Sequence, residues 1–405
     1  MLKYNDQLIM ALEIGSTKTV CGVGKLSHAG RLSILGYHEE SSISWRKGRI
    51  GDNELAIRFF RNIVEAVQHS TGGRPYVVHV GMANHELYIT RQNFKHVFSE
   101  TAHRISEEDI CFVFQMLKAL AARENNRIIH VVPTGFYIDN QLVKEPLDLS
   151  GKCFSIEAIV ISMNTEALDN LLMLLKLAGI KVKEVILGSL ASADAVLNAT
   201  EKEFGSVYVD IGGQTTAIVV YSHGFLQDVV VLPVGSNYIT GDLVFGLGIS
   251  YTAAEYLKLE LGLTPVRNLA EEIEVKSGSE LKRVSARLIL DIIEARINEI
   301  LDLIKKNIEI YNCEGLIKTG FVFGGGGAKL AGLVDYAEKH LDMPVRVTGP
   351  DAYLDAGTST EAVSLGVIGL IRFRENQSLL PAKPDTSNIL GTGWLEKIKL
   401  WAVKK

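Results

Sequence analysis

Two stretches half a chain apart place an acidic residue, glycines and hydroxyl side chains in the same order. In LEIGSTKTVCGVG (12–24) and VDIGGQTTAIVVY (209–221), an apolar strand reaches an acid, then Ile-Gly and a turn of small residues. Free N–H groups in a glycine turn can hold phosphate, and an acid at the strand end can hold Mg²⁺ through water. A single copy is explained as well by simple hairpin closure, but the duplication favours a phosphate site.

These two turns supply the candidate residues for a nucleotide phosphate and its cation. The candidate metal ligands are Glu13 and Asp210. The candidate phosphate-binding residues are Gly15, Ser16, Thr17 and Lys18 in the first copy and Gly212, Gly213, Gln214, Thr215 and Thr216 in the second.

Two further segments could complete a nucleotide site. VFGGGGAKLAGL (322–333) has no side chains where a strand meets a helix, which suits the close approach of a flat adenosine to Gly325, Gly326 and Gly327. In AAEYLKLELG (253–262), Glu255 and Lys258 share one helical face and could reach a ribose and a base edge. Considered alone, such a pair is more often a surface salt bridge.

The elements around these turns indicate a mixed α/β fold in two related halves. Each copy continues through a glycine-bearing turn, HAG (28–30) or SHG (222–224), into a third strand, so each half opens with an antiparallel meander. A chain of 405 residues also exceeds the roughly 250 to 300 at which one hydrophobic core stops growing. Several structural units are therefore expected.

Composition and charge distribution argue against several classes of protein. The net charge of −5 gives no bulk attraction to nucleic acid, so we expect no nucleic-acid partner. The four cysteines are scattered without a C-x-x-C pair, which favours a reducing compartment. Acidic residues interrupt the amino-terminal segment before any long apolar run, and no stretch approaches the ~18 apolar residues of a spanning helix. The sequence predicts neither a secretion signal nor a membrane span.

The ordered set of these motifs resembles the actin, Hsp70 and hexokinase superfamily. The set comprises the two hairpins, the connecting helix LASADAVL (190–197), the AExxKxxxG segment and the GGGAKL turn. Within that superfamily the chain resembles the FtsA family of actin-like bacterial cell-division proteins. This resemblance covers nearly the whole chain, including IIHVVPTGFYIDNQLVKEPLDLSG (128–151) and STEAVSLGVIGL (359–370).

The resemblance implies an actin-like two-lobed α/β fold with a duplicated meander core. It also implies an FtsA-type inserted subdomain and a carboxy-terminal amphipathic helix. The implied division is a first core lobe at 1–76 and 164–203, an inserted subdomain at 77–163, a second core lobe at 204–236 and 305–373 with its own insertion at 237–304, a linker at 374–391 and a membrane-targeting helix at 392–405.

Three positions depart from the family pattern on the side of the site that would carry out hydrolysis. The family usually has DIGGGTTDI where this chain has DIGGQTTAI, so Gln214 replaces glycine and Ala217 replaces an acid. Gly188 occupies a position that is commonly glutamate. The resemblance then implies that Mg²⁺ and ATP bind mainly as a structural ligand, with weak hydrolysis at most. The alternative is that no nucleotide binds, although Gln214 can also donate a hydrogen bond to phosphate.

The end of the chain predicts a linker followed by an amphipathic helix. Pro381 and Pro384 interrupt a segment without periodicity. Beyond it Trp394, Leu395, Ile398 and Trp401 share one arc at 100° per residue, while Lys397 lies on the polar face. A generic short helix would dock on its own protein. The linker and the mixture of tryptophan and lysine favour a membrane surface instead, and the FtsA family ends in the same way.

The resemblance also implies the partners. They are an anionic membrane surface, other copies of this chain, other divisome proteins, and the carboxy-terminal tail of the tubulin-like division protein FtsZ. The tail would dock on 237–304, where Lys282, Arg283 and Arg287 could pair with an acidic peptide; alternatively they form a solvated helix face. The implied location is peripheral, on the cytoplasmic side of the membrane at the division site. A pilus-assembly-type adaptor and a small-molecule kinase or ATPase of the same fold remain alternatives.

Overall fold

A computed structural model describes most of the chain. The described residues are 8–26, 32–42, 45–46, 49–50, 52–72, 77–82, 87–99, 101–264, 272–310, 313–349, 366–369 and 371. The predicted linker and membrane helix, with Trp394, Leu395, Lys397, Ile398 and Trp401, lie outside these residues. Within the described ranges, no helix has both the length and the apolar character needed to cross a bilayer.

The first half opens with the predicted antiparallel meander. Strands β1 and β2 pair so that Glu13 lies opposite Val20, close to the turn. A short hairpin, a helix capped by the Asp52 carboxylate and a parallel strand follow. The elements are β1 (Ile9–Ile14), β2 (Lys18–Leu26), β3 (Leu32–Ser41), β4 (Trp45–Arg46), β5 (Arg49–Ile50), α1 (Asn53–Ser70) and β6 (Val77–Met82).

Strand β6 corrects one predicted boundary. It pairs in parallel with β1, and its residues from Val78 to Met82 are buried in the first sheet. The inserted subdomain therefore begins after Met82 and not at 77. The sequence did not indicate this, because a short apolar run has the same appearance in either subdomain.

The inserted subdomain is an antiparallel sheet covered by one helix. Its elements are β7 (Leu87–Val97), β8 (His103–Arg104), α2 (Glu107–Ala121), β9 (Asn126–Ile138), β10 (Gln141–Val143), β11 (Ser150–Gly151) and β12 (Cys153–Asn164). The sheet order is β10-β9-β12-β7. At the start of α2, Ser106 and Asp109 form a capping box, and Leu117 and Phe154 are buried between helix and sheet.

The chain then returns to the first lobe and crosses to the second. Helix α3 (Thr165–Leu177) is followed by Gly179 at φ +84°, and β13 (Lys181–Leu187) completes the first sheet in the order β13-β6-β1-β2-β3. Helix α4 (Gly188–Val196) buries Leu190 in one cluster with Ile9 of the first lobe and Val219 of the second. The two lobes therefore share a core at this helix.

The second lobe repeats the first. Its elements are α5 (Ala199–Phe204), β14 (Ser206–Ile211), β15 (Thr216–Ser222), β16 (Phe225–Leu232), α6 (Ser236–Leu247), α7 (Tyr251–Leu261), β17 (Glu272–Ser277), β18 (Glu280–Ser285), α8 (Ala286–Ile310), β19 (Phe321–Gly324), α9 (Leu333–Leu341) and β20 (Val345–Val347). The sheet order β16-β15-β14-β19-β20 is the first sheet's topology again, with a meander on one side of the first strand and parallel strands on the other. The duplication seen in the sequence is thus a duplication of topology.

The inserted subdomain contacts the second lobe through strand β16 and helix α5. Arg91 Nη2 lies 3.5 Å from Oδ2 of the buried Asp228, and Lys144 Nζ lies 2.7 Å from Glu203 Oε2. Burial raises the pKa of Asp228, and the charge of Arg91 lowers it in part. The negative charge of Asp228 in the second lobe is thus partly offset by Arg91 of the inserted subdomain.

Replacing Arg91 by alanine is expected to lower the free energy of unfolding by about 1 kcal/mol at pH 8. The modest size follows from the 53% exposure of the Arg91 side chain. Because the variant raises the folded-state pKa of Asp228 further, the loss should shrink as pH falls and Asp228 becomes protonated. Urea unfolding at pH 5 and pH 8 measures this. The control is Arg104→Ala, which removes an exposed pair with Asp148 and should change little. Equal losses in the two variants would contradict a stabilising pair between Arg91 and Asp228.

Candidate functional site

The first turn is built and held by its own backbone. Gly15 N donates to Lys18 O at 3.1 Å, and a Cβ on Gly15 would lie only 2.7 Å from that oxygen, so hairpin closure alone requires this glycine. Ser42, just after β3, holds the turn from the side. Its N–H donates to Thr17 O at 2.9 Å and its hydroxyl donates to Gly15 O at 2.6 Å. Sequence reasoning missed Ser42.

The second turn is held in the same way from the position after its own third strand. The first N–H groups of α6 satisfy the turn's carbonyls: Ser236 N donates to Gly212 O at 2.9 Å, and Asn237 N to Gly213 O at 2.8 Å. Thr216 is fully buried and donates to Val234 O at 2.8 Å, so its hydroxyl is structural. Extending the sequence duplication past the third strand, where both copies carry a serine, could have identified these supports.

The two turns touch each other across the cleft between the lobes. Gln214 N donates to Ser16 Oγ at 3.0 Å, and Asn237 Nδ2 lies 3.5 Å from Thr17 Oγ1. A Cβ on Gly213 would overlap Thr17 Oγ1. No atom fits between a donor and an acceptor at hydrogen-bond distance. The turns in this arrangement therefore leave no space for a phosphate group between Ser16 and Gln214.

The two predicted metal ligands lie beneath the turns and influence each other. Burial raises the pKa of Asp210 to about 7, and the charge of Glu13 contributes to the rise. Two carboxylates that share a site in this way suit a divalent cation. Within the described ranges no group of three or more His, Cys, Asp or Glu residues could hold a metal.

The positions that lack the family's acids flank this carboxylate pair. A Cβ on Gly188 would lie 3.6 Å from Met82 O and 3.8 Å from Glu13 Oε1, so this position accommodates a Cβ near the Glu13 carboxylate. Ala217 lies directly opposite Asp210 in the β14–β15 ladder and shares its face. An acid at either position would thus approach Glu13 or Asp210.

The four-glycine turn packs on the same carboxylate. Gly325 has φ +82°, and a Cβ on it would overlap Asp210 Oδ1, while one on Gly327 would overlap the Ile211 side chain. Of the four glycines, only Gly326 has none of the described atoms within 4 Å of an added Cβ. Close packing against β14 therefore explains two of these glycines, and Gly326 remains the one available for the approach of a ligand.

Lys258 and Lys18 are engaged within the protein. Lys258 is 4% exposed, and its Nζ lies 2.7 Å from Glu255 Oε2 and 3.1 Å from Thr240 Oγ1, joining α7 to α6. The Glu255–Lys258 pair is therefore not a surface salt bridge. Of its two side chains, Lys258 is buried and Glu255 is accessible. Lys18 Nζ bonds Glu39 Oε2 at 2.9 Å on the neighbouring strand.

The basic residues predicted to dock a partner also have partners of their own. Lys282 donates to Gly248 O, Arg283 pairs with Glu274 at 2.9 Å, and Arg287 pairs with Asp291 at 2.9 Å. One turn before Gly248, Phe245 is 93% exposed. The sequence indicates the exposure of Phe245 only weakly. Helix α6 buries Ile239 and Leu243, and Phe245 lies off that face.

Comparison with known protein families shows to which family this chain belongs. A family model described as "Cell division protein FtsA" matches residues 207–367, and one described as "SHS2 domain inserted in FTSA" matches residues 87–162. The chain belongs to the FtsA family. It is 29% identical over 351 residues to the cell division protein FtsA of Pseudomonas aeruginosa, covering 85% of this chain and 84% of that relative.

Solved structures place the FtsA-family chain among actin-like folds. The PilM-PilN type IV pilus biogenesis complex matches with a TM-score of 0.67 at 14% identity, covering 93% of this chain and all of that one. MreB5 of Spiroplasma citri bound to ADP matches with a TM-score of 0.52 at 13% identity, covering 92% and 96%. The predicted actin-like fold and the FtsA-type insertion are thereby confirmed.

Proposed function

We propose that this FtsA-family chain is a cell-division adaptor that links FtsZ polymers to the inner face of the cytoplasmic membrane. The observation that supports this best is the combination of the actin-like core with the FtsA-type SHS2 insertion in one chain. Such an adaptor needs three surfaces, one each for further copies of itself, for the FtsZ tail and for lipid. Other divisome proteins would join the same assembly.

The cleft is proposed to bind ATP with Mg²⁺ once the two turns separate. Glu13 and Asp210 would hold the cation, the amides of the two turns would hold the phosphates, and Gly326 and Glu255 would lie nearest the nucleoside. Bound Mg²⁺ would supply positive charge that offsets the two carboxylates. The residues of the chain itself bind and orient; no acid is available at Gly188 or Ala217 to position water.

Turnover of ATP is accordingly expected to be slow. Losing a water-positioning group commonly lowers a rate by about 10² to 10⁴. A coupled phosphate-release assay on the full chain, beside an actin-like ATPase that has both acids, measures this. Equal turnover in the two proteins would contradict the expectation, and a flat calorimetric titration with Mg-ATP would establish that no nucleotide binds.

The FtsZ tail is proposed to dock on the surface of the 237–304 insertion that carries Phe245 and the basic residues Lys282, Arg283 and Arg287. Lys282 donates to Gly248 O, three residues after Phe245, which links the helix that carries the phenylalanine to the basic strand. An exposed phenylalanine together with basic residues suits a peptide that carries both apolar and acidic residues. Because Arg283 and Arg287 are already paired with Glu274 and Asp291 at the surface, their exchange onto a peptide costs little. Phe245 then contributes the apolar part of the contact.

Imaging a fluorescent fusion in dividing cells tests the proposed function. The intact chain should form a band at the site of constriction and lie along the membrane there. The same fusion without residues 392–405 should be spread through the cytoplasm. A polar or even distribution of the intact fusion would contradict a division role and would favour the pilus-type alternative.

A further inference from the structure

The contact between the two turns joins halves of the molecule that are otherwise far apart in sequence. Ser16 and Gln214 are 198 positions apart, and their 3.0 Å hydrogen bond bridges the mouth of the cleft between the two lobes. Beside it, Thr17 meets Gly213 and the Asn237 side chain. The bridge thus consists of two hydroxyl side chains from one lobe against a backbone donor and an amide from the other.

The donor in this bridge is the kind of group that a phosphate would otherwise use. Backbone N–H groups in a glycine-rich turn are the donors that hold anions, and Gln214 N is such a group. Here its hydrogen bond goes to an uncharged hydroxyl of the opposite lobe. Both turns are fixed from behind, by Ser42 and by the first N–H groups of α6, so each presents its partner in a set position.

We propose that Ser16 and Gln214 form a latch that closes the cleft without nucleotide, with the Ser16 hydroxyl taking the place of a phosphate oxygen. The proposal rests on the nucleotide role proposed above and adds to it. The closed arrangement of the lobes is then a property of the chain itself. A nucleotide has to break the latch before its phosphates can enter.

Hydrogen–deuterium exchange of the full chain without nucleotide tests the latch at the Gln214 amide. The wild-type amide should be protected, and Ser16→Ala should speed its exchange by about 3- to 10-fold, which corresponds to the loss of one neutral hydrogen bond. Ser16→Thr keeps a hydroxyl and should restore protection. The Gly212 amide, which bonds Thr215 O inside the turn, should not change and shows that the hairpin stays folded.

A serine far from the cleft provides the matched control. Among the described residues, Ser99 Oγ bonds within its own loop, to Thr101, and Ser99→Ala should leave the Gln214 amide unchanged. Stopped-flow binding of a fluorescent ATP analogue with Mg²⁺ gives a second readout. Its observed rate should level off at high analogue concentration in the wild type, since opening limits entry, and should be faster in Ser16→Ala.

Two results would overturn the latch. One is a Gln214 amide that exchanges as fast in the wild type as in Ser16→Ala; the other is an analogue-binding rate that rises linearly without limit. Neither result depends on membrane or FtsZ binding. A failure of the adaptor function would appear in imaging with the exchange pattern intact, so the two failures can be told apart.

Discussion

Deleting residues 392–405 is expected to abolish binding of the chain to anionic vesicles. Partial burial of Trp394, Trp401 and three smaller apolar residues, about 200 Å² in all, gives about 5 kcal/mol at about 25 cal/mol per Å². Nearby lysines add attraction to anionic lipid, whereas ordering the helix backbone offsets much of this gain. One tail therefore binds weakly, and several tails on one assembly are needed for stable attachment.

Vesicle flotation across a range of protein concentrations measures this effect. The intact chain should bind cooperatively, with a steep rise at the concentration where it assembles. Trp394→Ala with Trp401→Ala should reduce binding nearly as far as the deletion. Lys25→Ala changes a lysine in β2 and serves as the control, since it should bind as the intact chain does. Simple one-site binding, or retention of the truncated chain on vesicles, would contradict the account of the tail.

Replacing Asp210 by asparagine is expected to stabilise the nucleotide-free protein at pH 8. The folded pKa of Asp210 is raised to about 7, whereas an unfolded aspartate titrates near its ordinary value. Between these values the folded state binds a proton that the unfolded state does not. The contribution of Asp210 to the free energy of unfolding therefore falls as pH rises from about 4 to 7 and then levels off. Asparagine removes that loss, which we expect to amount to about 2 to 4 kcal/mol.

Thermal unfolding of the two proteins between pH 4 and pH 8 measures the difference. The gain from Asp210→Asn should be large at pH 8 and small near pH 4. Asp139→Asn is the matched control, because two backbone N–H groups hold the pKa of Asp139 below its ordinary value and its effect has the opposite sign. A pH-independent gain, or none, would show that Asp210 and Glu13 are not coupled in a buried site.

Much of the fold follows from the sequence because the duplication is local. An acid, a glycine turn and two apolar strands are contiguous in each copy, and hydrophobic periodicity together with turn residues specifies a meander. The convergence of Glu13 and Asp210 follows as well, since each is the last residue but one in the first strand of its half. The capping box at Ser106 and the positive φ of Gly179 after α3 are equally local features.

Other features could not be predicted because they depend on how distant elements pack. The hydrogen bond between Ser16 and Gln214 is set by the placement of two lobes, which no local pattern encodes. The burial of Lys258 depends on which face of α7 meets Thr240 of α6. The boundary at Met82 depends on strand pairing with β1. In each case the local sequence is compatible with two structural arrangements, and tertiary contacts determine which one forms.

Reconstitution from three purified components tests the central claim most directly. FtsZ polymers are mixed with anionic vesicles and either the full chain or the chain without residues 392–405, and the vesicles are recovered by flotation. The account predicts that FtsZ floats with the vesicles only when the full chain is present. It would be contradicted if the full chain floated with the vesicles while FtsZ stayed behind, since the chain would then bind lipid without joining it to the division polymer.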